Sequence, residues 1–312
     1  MKQALTLPKL QFEPITPALR QRYLSVIGDR CRDADHAFAN LYIWNEAYHQ
    51  SLAFAKTEEG TRVIVRFCDG TGHCRHLFPV GEGSPLPVVE AMRQLAHERG
   101  EILSFSAVTK EQIAELESVL PNAFSITEER DIADYLYDAE SLATLAGKKL
   151  HGKRNHINAF AAAHGFALLP LTPEHFDACR AIEAAWLSEH AGDSAEREQV
   201  AVERAFAAFD TLELEGALLM ADGEPAAFTI GSMLTSDTLC VHVEKALSNL
   251  NGAYPTINRE FVRMMREKHP ALRTVNREDD MGLENLRRAK LSYRPAELLT
   301  KYTLTEITNA PL

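Results

Sequence analysis

Two side chains that can move protons lie two residues apart at the end of a predicted strand. They are His242 and Glu244, in the segment His242-Val243-Glu244. Side chains alternate along a strand, so we expect both on one face. There the carboxylate, assisted by the imidazole, can take a proton from an amine before the amine attacks an acyl group. A solvent-facing pair or a structural hydrogen bond would explain the same residues.

A cysteine nucleophile is the less favoured interpretation of this strand. Cys240 shares the expected face with His242, but no helix N-terminus is predicted behind the thiol to activate it. We therefore assign the base to Glu244 and the assisting role to His242.

A second group lies where a predicted helix passes into a strand. Lys290 can hold a phosphate or stabilise a developing oxyanion, and Tyr293 can serve as a general acid. Acids precede this helix and bases fill its last turn, so stabilisation of the helix dipole accounts for the charges by itself. The segment before the helix supplies three candidate substrate-binding residues: Asn276, Glu278 and Asp279.

A basic segment lies near the middle of the chain. Residues 141 to 173 contain no acidic side chain, in a protein whose formal net charge is -11. This asymmetry predicts a local phosphate-binding patch. The alternative is the solvated start of a helix whose apolar side carries Ile157 and Phe160. The candidate substrate-binding residues here are Lys149, Lys153, Arg154 and Asn155.

The elements that must position these residues follow one order in both halves of the chain: two helices, three strands, a helix, a strand, a helix and a strand. In the second half, the patterns predict helices at 174–190, 196–209, 254–268 and 282–290, and strands at 215–221, 226–234, 238–245, 272–275 and 293–305. The first three of these strands are expected to turn at Asp222-Gly223 and Ser236-Asp237. In the first half, they predict helices at 17–27, 35–48, 85–100 and 110–120, and strands at 51–55, 62–68, 74–79, 102–106 and 135–137, with turns at Glu59-Gly60 and Asp69-Gly70. This order resembles the GCN5-related acetyltransferase fold.

A strand that ends where a helix begins leaves free backbone N–H groups for a pyrophosphate. In the second half this junction is Ser248 to Ala253, whose small residues allow close approach. Its predicted cofactor-binding residues are Lys245, Asn251, Gly252 and Ala253. The matching stretch of the first half, Gly81 to Ser84, contains an acid, so we expect only the second junction to be used.

Composition narrows the class of protein. A length of 312 residues suits two domains. The net charge of -11 disfavours binding of nucleic acid or anionic lipid through the overall field. Five cysteines without CxxC spacing predict reduced thiols and a cytoplasmic location, and the cluster Cys68, His73, Cys74 and His76 lacks zinc spacing, so no metal is predicted. Neither a signal peptide nor a membrane-spanning segment is predicted.

Three strings together resemble the family named for the C-terminal domain of phosphatidylglycerol lysyltransferase. They are DYLYDAESLATLAGKKLHGKRNHINAF, HVEKAL…GAYPTINREF and VNREDDMGLENLRRAKLSYRP. The resemblance, over residues 10 to 305, implies an α+β fold of two tandem GCN5-related N-acetyltransferase-like domains, each a mixed, mostly antiparallel sheet flanked by helices. We place the domains at 1–140 and 141–312, with the active site in the second.

In membrane-bound relatives, the resemblance implies, this domain transfers an aminoacyl group from aminoacyl-tRNA to phosphatidylglycerol. The segment Lys290 to Pro295 is similar to the family's Lys-aromatic-Pro segment. The sequence predicts neither a membrane-spanning flippase portion nor a broad basic surface for tRNA, which leaves donor and acceptor open.

We therefore expect a bacterial-type acyltransferase that moves an acyl or aminoacyl group from acyl-CoA or aminoacyl-tRNA to an amine or hydroxyl of a small molecule or lipid. No tightly bound cofactor and no stable DNA binding are expected. Two alternatives remain open. One is a non-catalytic ligand-binding protein that keeps the fold. The other is a peripheral membrane protein that docks through residues 148–154.

Overall fold

The protein is a mixed α/β structure in which a mostly antiparallel sheet is flanked by helices. A computed structural model describes residues 5–68, 71–189 and 193–308; the side chains of 193–195 are outside this description. The chain folds into two compact units. The first unit is Met1–Cys31, Ala47–Ala133 and Leu299–Leu312, and the second unit is Arg32–Glu46 and Asp134–Leu298. The boundary between 140 and 141 stays a prediction.

The described ranges contain the following regular elements. The strands are β1 (Glu13–Pro14), β2 (Gln50–Lys56), β3 (Thr61–Cys68), β4 (Cys74–His76), β5 (Val80–Gly81), β6 (Ser104–Val108), β7 (Phe124–Asp138), β8 (Phe166–Pro170), β9 (Glu215–Ala221), β10 (Glu224–Met233), β11 (Thr238–Ala246), β12 (Thr274–Asn276) and β13 (Glu297–Glu306). The helices are α1 (Arg20–Ile27), α2 (Phe38–Ile43), α3 (Asn45–Tyr48), α4 (Leu86–Glu98), α5 (Lys110–Val119), α6 (Ala139–Thr144), α7 (His151–Ala163), α8 (Phe176–Glu189), α9 (Asp193–Ala207), α10 (Ala253–Lys268) and α11 (Glu284–Leu291).

The first unit is built on the strand order β1-β2-β3-β4-β6-β13, with β5 paired to β3. The pairs are antiparallel except β4 with β6. Buried Arg62, near the start of β3, fixes the residues on both sides of β5, because its guanidinium donates to the carbonyl oxygens of Pro79 and Gly83. The first turn of α5 is closed by a capping box between Thr109 and Gln112, which satisfies two backbone N–H groups.

A disulfide in the first unit corrects the expectation of reduced thiols. Cys68 and Cys74 are direct register partners of the antiparallel pair β3 and β4, and a disulfide joins them. The error arose because spacing alone does not report cross-strand pairing. Cys31, Cys179 and Cys240 are buried thiols outside this disulfide. The predicted turn at Asp69-Gly70, between the two bonded cysteines, lies outside the described residues.

The second unit carries the strand order β7-β12-β11-β10-β9-β8, in which β11 and β12 are parallel and the other neighbouring pairs are antiparallel. The predicted hairpin between β9 and β10 is confirmed: Asp222 and Gly223 both have positive φ, of 52° and 88°. Two consecutive positive φ angles are typical of the type I′ turn, which matches the twist of the flanking strands.

Helices cover this sheet with separate apolar clusters. Ile257 and Phe261 of α10 belong to a buried cluster with Ile157 and Phe160 of α7 and Tyr137 of β7. A second cluster joins α8 to α9, where the Phe176 and Phe206 rings stack with centroids 4.4 Å apart. The Phe206 and Phe228 ring centroids lie 6.3 Å apart, so this second cluster packs against β10.

Several strands differ from the sequence prediction. The strand predicted at 293–305 begins at Glu297, so Tyr293 lies before it, and the short strands β1 and β5 were not predicted. β7 is 15 residues long, whereas the apolar signal covered only three residues, because its first half is mostly exposed and polar. β8 was not predicted as a strand. It pairs with β9 alone in the strand order, and its side chains are only partly buried, so the period-2 pattern of a half-buried strand is weak.

A β-bulge interrupts β11 at the candidate catalytic residues. Ile230 of β10 pairs with Val243 and Gly231 pairs with Val241, so His242 is an extra residue on β11. A Cβ on Gly231 would lie 2.5 Å from the Cys240 carbonyl oxygen, which explains glycine opposite the bulge. A bulge breaks the alternation of side chains along its strand.

The close approach of α7 to α10 generates a stability prediction. Gly252, before α10, has φ 97°, and a Cβ there would lie 2.5 Å from the His156 carbonyl oxygen and 2.9 Å from Phe160 Cβ. Gly252→Ala is expected to lower the free energy of unfolding by about 2–4 kcal/mol, from backbone strain and overpacking together. Denaturant unfolding measures this change.

Gly223→Ala is the matched control. Gly223 also has positive φ, of 88°, but no atom lies within 4 Å of an added Cβ. The control should therefore lose only the backbone part, about 1–2 kcal/mol. Equal losses in the two variants would refute the close packing of the helices at Gly252.

Candidate active site

A buried ion pair stands at the centre of the second unit. Arg277 follows directly after β12, and its Nη2 donates to Glu244 Oε1 on β11 at 2.8 Å. The second carboxylate oxygen, Oε2, accepts from Asn258 Nδ2 on α10 at 3.1 Å. The side chains of Arg277 and Glu244 are only 13% and 9% exposed, so the pair is largely desolvated.

Aromatic rings and a lysine surround this pair. The Tyr293 and Tyr137 rings meet edge to face, with centroids 6.5 Å apart. The Arg277 guanidinium carbon lies 4.9 Å from the Tyr293 ring centroid, and Lys153 Nζ lies 3.9 Å from the same centroid. Cations are attracted to the face of an aromatic ring. We call these six residues the Arg277 cluster: Arg277, Glu244, Asn258, Tyr137, Tyr293 and Lys153.

Two polar atoms of the cluster are buried without a hydrogen-bond partner in the described part of the chain. They are Arg277 Nη1, a cationic donor, and Asn258 Oδ1, an acceptor. Each belongs to a side chain that already contacts Glu244. Buried polar groups are almost always paired, because leaving one unpaired costs about 1–3 kcal/mol. A donor and an acceptor left open around one carboxylate are the partners that a polar ligand would use.

Burial and neighbouring charges set the protonation of this cluster. Burial raises the pKa of the Tyr293 hydroxyl. The Arg277 charge opposes this rise, Glu244 reinforces it, and a hydrogen bond with the Arg277 side chain also acts against it. Burial likewise raises the pKa of Tyr137. The pKa of Lys153 is lowered, first by burial and then by the Arg277 charge, while Glu244 works in the opposite direction. Both tyrosines are therefore protonated at neutral pH and can donate a proton or a hydrogen bond.

Lys290 holds the backbone of the segment that presents Arg277. Its Nζ donates to the carbonyl oxygens of Arg277 and Asp279. The Lys290 carbonyl oxygen in turn accepts from the Tyr137 hydroxyl at 2.8 Å. Burial lowers the pKa of Lys290, and the Arg277 charge adds to this. Because two of its three donors are occupied, the structure places Lys290 as a clamp beside the cluster, and its predicted chemical role stays a prediction.

His242 and Glu244 do not share partners. His242 Nε2 lies 2.8 Å from Ser232 Oγ, and Nδ1 lies 3.1 Å from Glu278 Oε1. Glu244 contacts Arg277 and Asn258 instead. The expectation of one shared face fails because the bulge at His242 breaks the strand alternation.

Lys245 pairs with side chains of α8 and α9, and its predicted role in phosphate binding stays a prediction. Its Nζ contacts Glu198 Oε2 of α9 at 2.8 Å and lies 3.1 Å from the Trp186 ring centroid of α8. Buried Glu183 of α8 also acts on this group electrostatically, and both of its carboxylate oxygens lack a hydrogen-bond partner among the described residues. The structure therefore brings Lys245 together with the α8 and α9 acids.

The other three predicted cofactor-binding residues lie at the start of α10. Asn251 is exposed, whereas Gly252 and Ala253 are buried. The Ala253 N–H already donates to the Leu250 carbonyl oxygen at 3.0 Å, and Pro255 has no N–H to offer. Two of the first-turn donors are thus engaged or missing, and phosphate binding at this junction stays a prediction.

The remaining predicted substrate-binding residues separate into two groups. Lys149 and Asn155 are exposed, and Arg154 donates to the carbonyl oxygens of Leu145 and Gly147, which fixes the turn before α7. Of the four candidates in this segment, Lys153 is the one that reaches the Arg277 cluster.

Hydrogen bonds of Asn276 and Asp279 hold the backbone at the end of β12 and in the segment that follows it. Asn276 is fully buried: its Nδ2 donates to the Arg32 carbonyl oxygen and to Asp134 Oδ2, and its Oδ1 accepts from the Glu278 N–H. Asp279 Oδ1 accepts from the Met281 N–H at 3.0 Å. These contacts shape the turn, and Glu278, of the three predicted residues, joins a side-chain cluster with His242.

Sequence comparison identifies the family of this fold. A family model described as "Phosphatidylglycerol lysyltransferase, C-terminal" matches residues 30–305. A conserved protein of unknown function from Bacteroides thetaiotaomicron VPI-5482 has a crystal structure that is 34% identical, covers 96% of this chain and 100% of its own, and gives a TM-score of 0.88. This chain belongs to the phosphatidylglycerol lysyltransferase C-terminal family. The resemblance predicted from the three strings is confirmed.

More distant structures share the fold of this family. L-PGS from Bacillus licheniformis is 15% identical, with a TM-score of 0.63 over 96% of this chain and 94% of its own. A tandem GNAT protein from the clavulanic acid biosynthesis pathway is 12% identical, with a TM-score of 0.54 over 97% of this chain and 100% of its own. At such identities the likeness shows a GNAT-like fold.

The chain spans about half the length of the curated relative it matches. That relative is the uncharacterized protein MYCGA3080 of Mycoplasmoides gallisepticum, 25% identical over 179 residues, which are 56% of each protein. In the described ranges of this family member, none of the helices combines the length and the apolar character that crossing a membrane requires.

Three members of the cluster were not predicted from the sequence: Arg277, Asn258 and Tyr137. Of the three, Arg277 could have been identified as a candidate, because it lies between the candidates Asn276 and Glu278 in a string that carries the family resemblance. Nothing local shows that β11 and β12 bring it to Glu244.

The Lys245 environment predicts a pH-dependent stability. Burial raises the pKa of Glu183 to about 7, although the Lys245 ammonium acts to lower it. Between an unfolded pKa of about 4.3 and the folded value, the native state binds more protons, so stability falls as pH rises. We expect a loss of about 3 kcal/mol from pH 5 to pH 8 that Glu183→Gln abolishes, measured by denaturant unfolding.

Glu189→Gln, in the same helix, controls for the general loss of an acid. Glu189 is exposed, so this variant should keep the wild-type dependence on pH. An unchanged slope in Glu183→Gln would show that Glu183 titrates normally and that its burial has no energetic consequence.

Proposed function

We propose that this chain is an acyltransferase or aminoacyltransferase whose active site is the Arg277 cluster of the second unit. The family and the GNAT-like fold support the reaction class. The observation that carries the site is the buried Arg277 guanidinium, whose Nη1 lacks a hydrogen-bond partner in the described ranges. A desolvated guanidinium in this position can donate a hydrogen bond to the negative charge that develops during the reaction.

Acyl transfer places negative charge on the carbonyl oxygen of the acyl group when the acceptor attacks. Donors that are already oriented stabilise this oxygen strongly, because they need no reorganisation in the transition state. Glu244 fixes one side of the guanidinium at 2.8 Å, and Lys290 holds the Arg277 backbone. We assign Arg277 Nη1 as the donor to the oxyanion.

Proton transfers fall to Glu244 and Tyr293 in this proposal. A carboxylate that accepts one hydrogen bond on each oxygen still has lone pairs available, so Glu244 can take the proton of the attacking amine or hydroxyl. Tyr293, whose pKa is raised by burial, carries the proton that the leaving oxygen or sulfur of the donor needs. His242 lies with Glu278 and is left out of this path.

The donor in this proposal is acyl-CoA or aminoacyl-tRNA, which both carry phosphates. Lys153, with Lys149 nearby on the exposed segment, supplies the positive charge for a phosphate. The acceptor is an amine or hydroxyl of a small molecule or a lipid. The tandem arrangement of two GCN5-related domains is part of the same proposal.

The test starts from the donor. Thermal unfolding with acetyl-CoA, longer acyl-CoAs and a set of aminoacyl-tRNAs identifies which compound stabilises the native state. Transfer from that donor is then measured as kcat/KM. Arg277→Met should lower kcat/KM about 10²–10³-fold, and Tyr293→Phe about 10²-fold or more, since each removes a transition-state interaction.

Stability needs its own control, because breaking a buried ion pair costs about 3–5 kcal/mol. The double variant Arg277→Met with Glu244→Gln removes the uncompensated charge and should regain stability without regaining transfer. Arg180→Lys, on the surface of α8, should keep full activity. Wild-type rates in Arg277→Met, or stabilisation by none of the donors, would defeat the proposal.

A further inference from the structure

Three chemically different metal ligands converge outside the Arg277 cluster. Cys240 and His242 lie on β11, and Glu278 lies in the segment after β12. One ligand atom from each, the thiol Sγ, the imidazole Nδ1 and a carboxylate oxygen, lies within 4.8 Å of the others. Cys240 is fully buried and the His242 side chain is 0% exposed, whereas the Glu278 side chain is 23% exposed.

The separations fit a single tetrahedral ion. Zn²⁺ binds thiolate sulfur at about 2.3 Å, imidazole nitrogen at about 2.0 Å and carboxylate oxygen at about 2.1 Å. Tetrahedral angles then give ligand-to-ligand distances of about 3.4 Å between nitrogen and oxygen and about 3.6 Å between sulfur and oxygen. The structure has 3.1 Å from His242 Nδ1 to Glu278 Oε1 and 3.7 Å from Cys240 Sγ to the same oxygen.

The surrounding contacts are those that a metal site needs. His242 Nε2 lies 2.8 Å from the Ser232 hydroxyl, which orients the ring with Nδ1 toward Glu278. Ligating histidines almost always use the second ring nitrogen in this way. Asn40 Nδ2 donates to Glu278 Oε1 at 2.8 Å and so holds the carboxylate.

The chain adopts special backbone geometry to bring these ligands together. The bulge at His242 is the extra residue of β11, which re-aims its side chain. Glu278 has φ 57°, in the left-handed region that a glutamate rarely adopts. Such geometry is retained where the surrounding structure imposes it, and it is concentrated at binding sites.

We propose that Cys240, His242 and Glu278 form a site for a divalent metal ion of the zinc type, with a fourth position open to water. The donor set selects this class, because thiolate and imidazole suit Zn²⁺ and disfavour Mg²⁺ and Ca²⁺. Binding removes the thiol proton and releases it to solvent. Glu278 is the neighbour of Arg277 in the chain, so the ion would also fix the segment that presents Arg277. The site does not depend on the proposed transfer reaction.

Without a metal, the same contacts are a thiol and an imidazole sharing hydrogen bonds with one carboxylate. The two states differ in the protonation of Cys240, which spectroscopy reports. No metal was predicted from the sequence, because the ligands are separated by one residue and then by 35 residues and follow no zinc spacing.

The experiment uses the full chain, stripped of metal with a chelator and titrated with Co²⁺ under reducing conditions. We expect one equivalent of Co²⁺ to give tetrahedral absorption bands and a thiolate-to-metal charge-transfer band, both displaced by Zn²⁺. Proton release measured in weak buffer should accompany binding. Cys240→Ser should abolish the charge-transfer band. Ser232→Ala should weaken the affinity about 10- to 100-fold.

Cys179→Ser is the matched control, since Cys179 is another buried thiol, on α8, and should leave the bands unchanged. Circular dichroism shows whether each variant folds. The wild-type titration decides the question even if Cys240→Ser fails to fold. Absence of a thiolate band with micromolar Co²⁺, or its persistence in folded Cys240→Ser, would overturn the site.

Discussion

The buried pair of Arg277 and Glu244 is the interaction on which the second unit depends. Taking two charges out of water costs several kcal/mol for each ion, and their attraction offsets this only with good geometry and further hydrogen bonds. Here the carboxylate receives Arg277 on one oxygen and Asn258 on the other. These hydrogen bonds form only if β11, the end of β12 and α10 are correctly placed relative to one another. Apolar contacts are not directional, so they would fix this placement less strictly.

The contacts around the pair are arranged to hold one short segment. Asn276 anchors it from the sheet side, and Lys290 holds the carbonyl oxygens of Arg277 and Asp279 from α11. Asp280 is fully buried and receives the Arg287 guanidinium through both of its carboxylate oxygens. Acids and bases that helix-dipole electrostatics explained at the level of sequence thus have specific partners. In the structure, these charged side chains fix the turn between β12 and α11.

Local signals in the sequence were sufficient for much of the fold. The β9–β10 hairpin was predictable because Asp-Gly is a residue pair that readily adopts the two positive φ angles found at Asp222 and Gly223. The extent of β7 was not, because a strand with an exposed polar half has no apolar pattern. Glu244 was identified as a chemical candidate, but its partner Arg277 was not, because a parallel pairing between distant strands joins them. The bulge at His242 was equally hidden, since a bulge is defined only by the register of two strands.

The charge balance around Arg277 favours an anionic ligand. Lys153 and Arg277 lie near the same tyrosine ring, and Glu244 is the carboxylate hydrogen-bonded to that arginine. Burial lowers the pKa of Lys153, the Arg277 charge lowers it further, and Glu244 acts in the opposite direction. The chain as a whole has a net charge of -11, so a local excess of positive charge at this cluster is a contrast with the rest of the protein. An anion that enters the cluster would relieve the repulsion between the two cations and pair with the open guanidinium nitrogen, so binding the donor and preparing the oxyanion site would be the same electrostatic event.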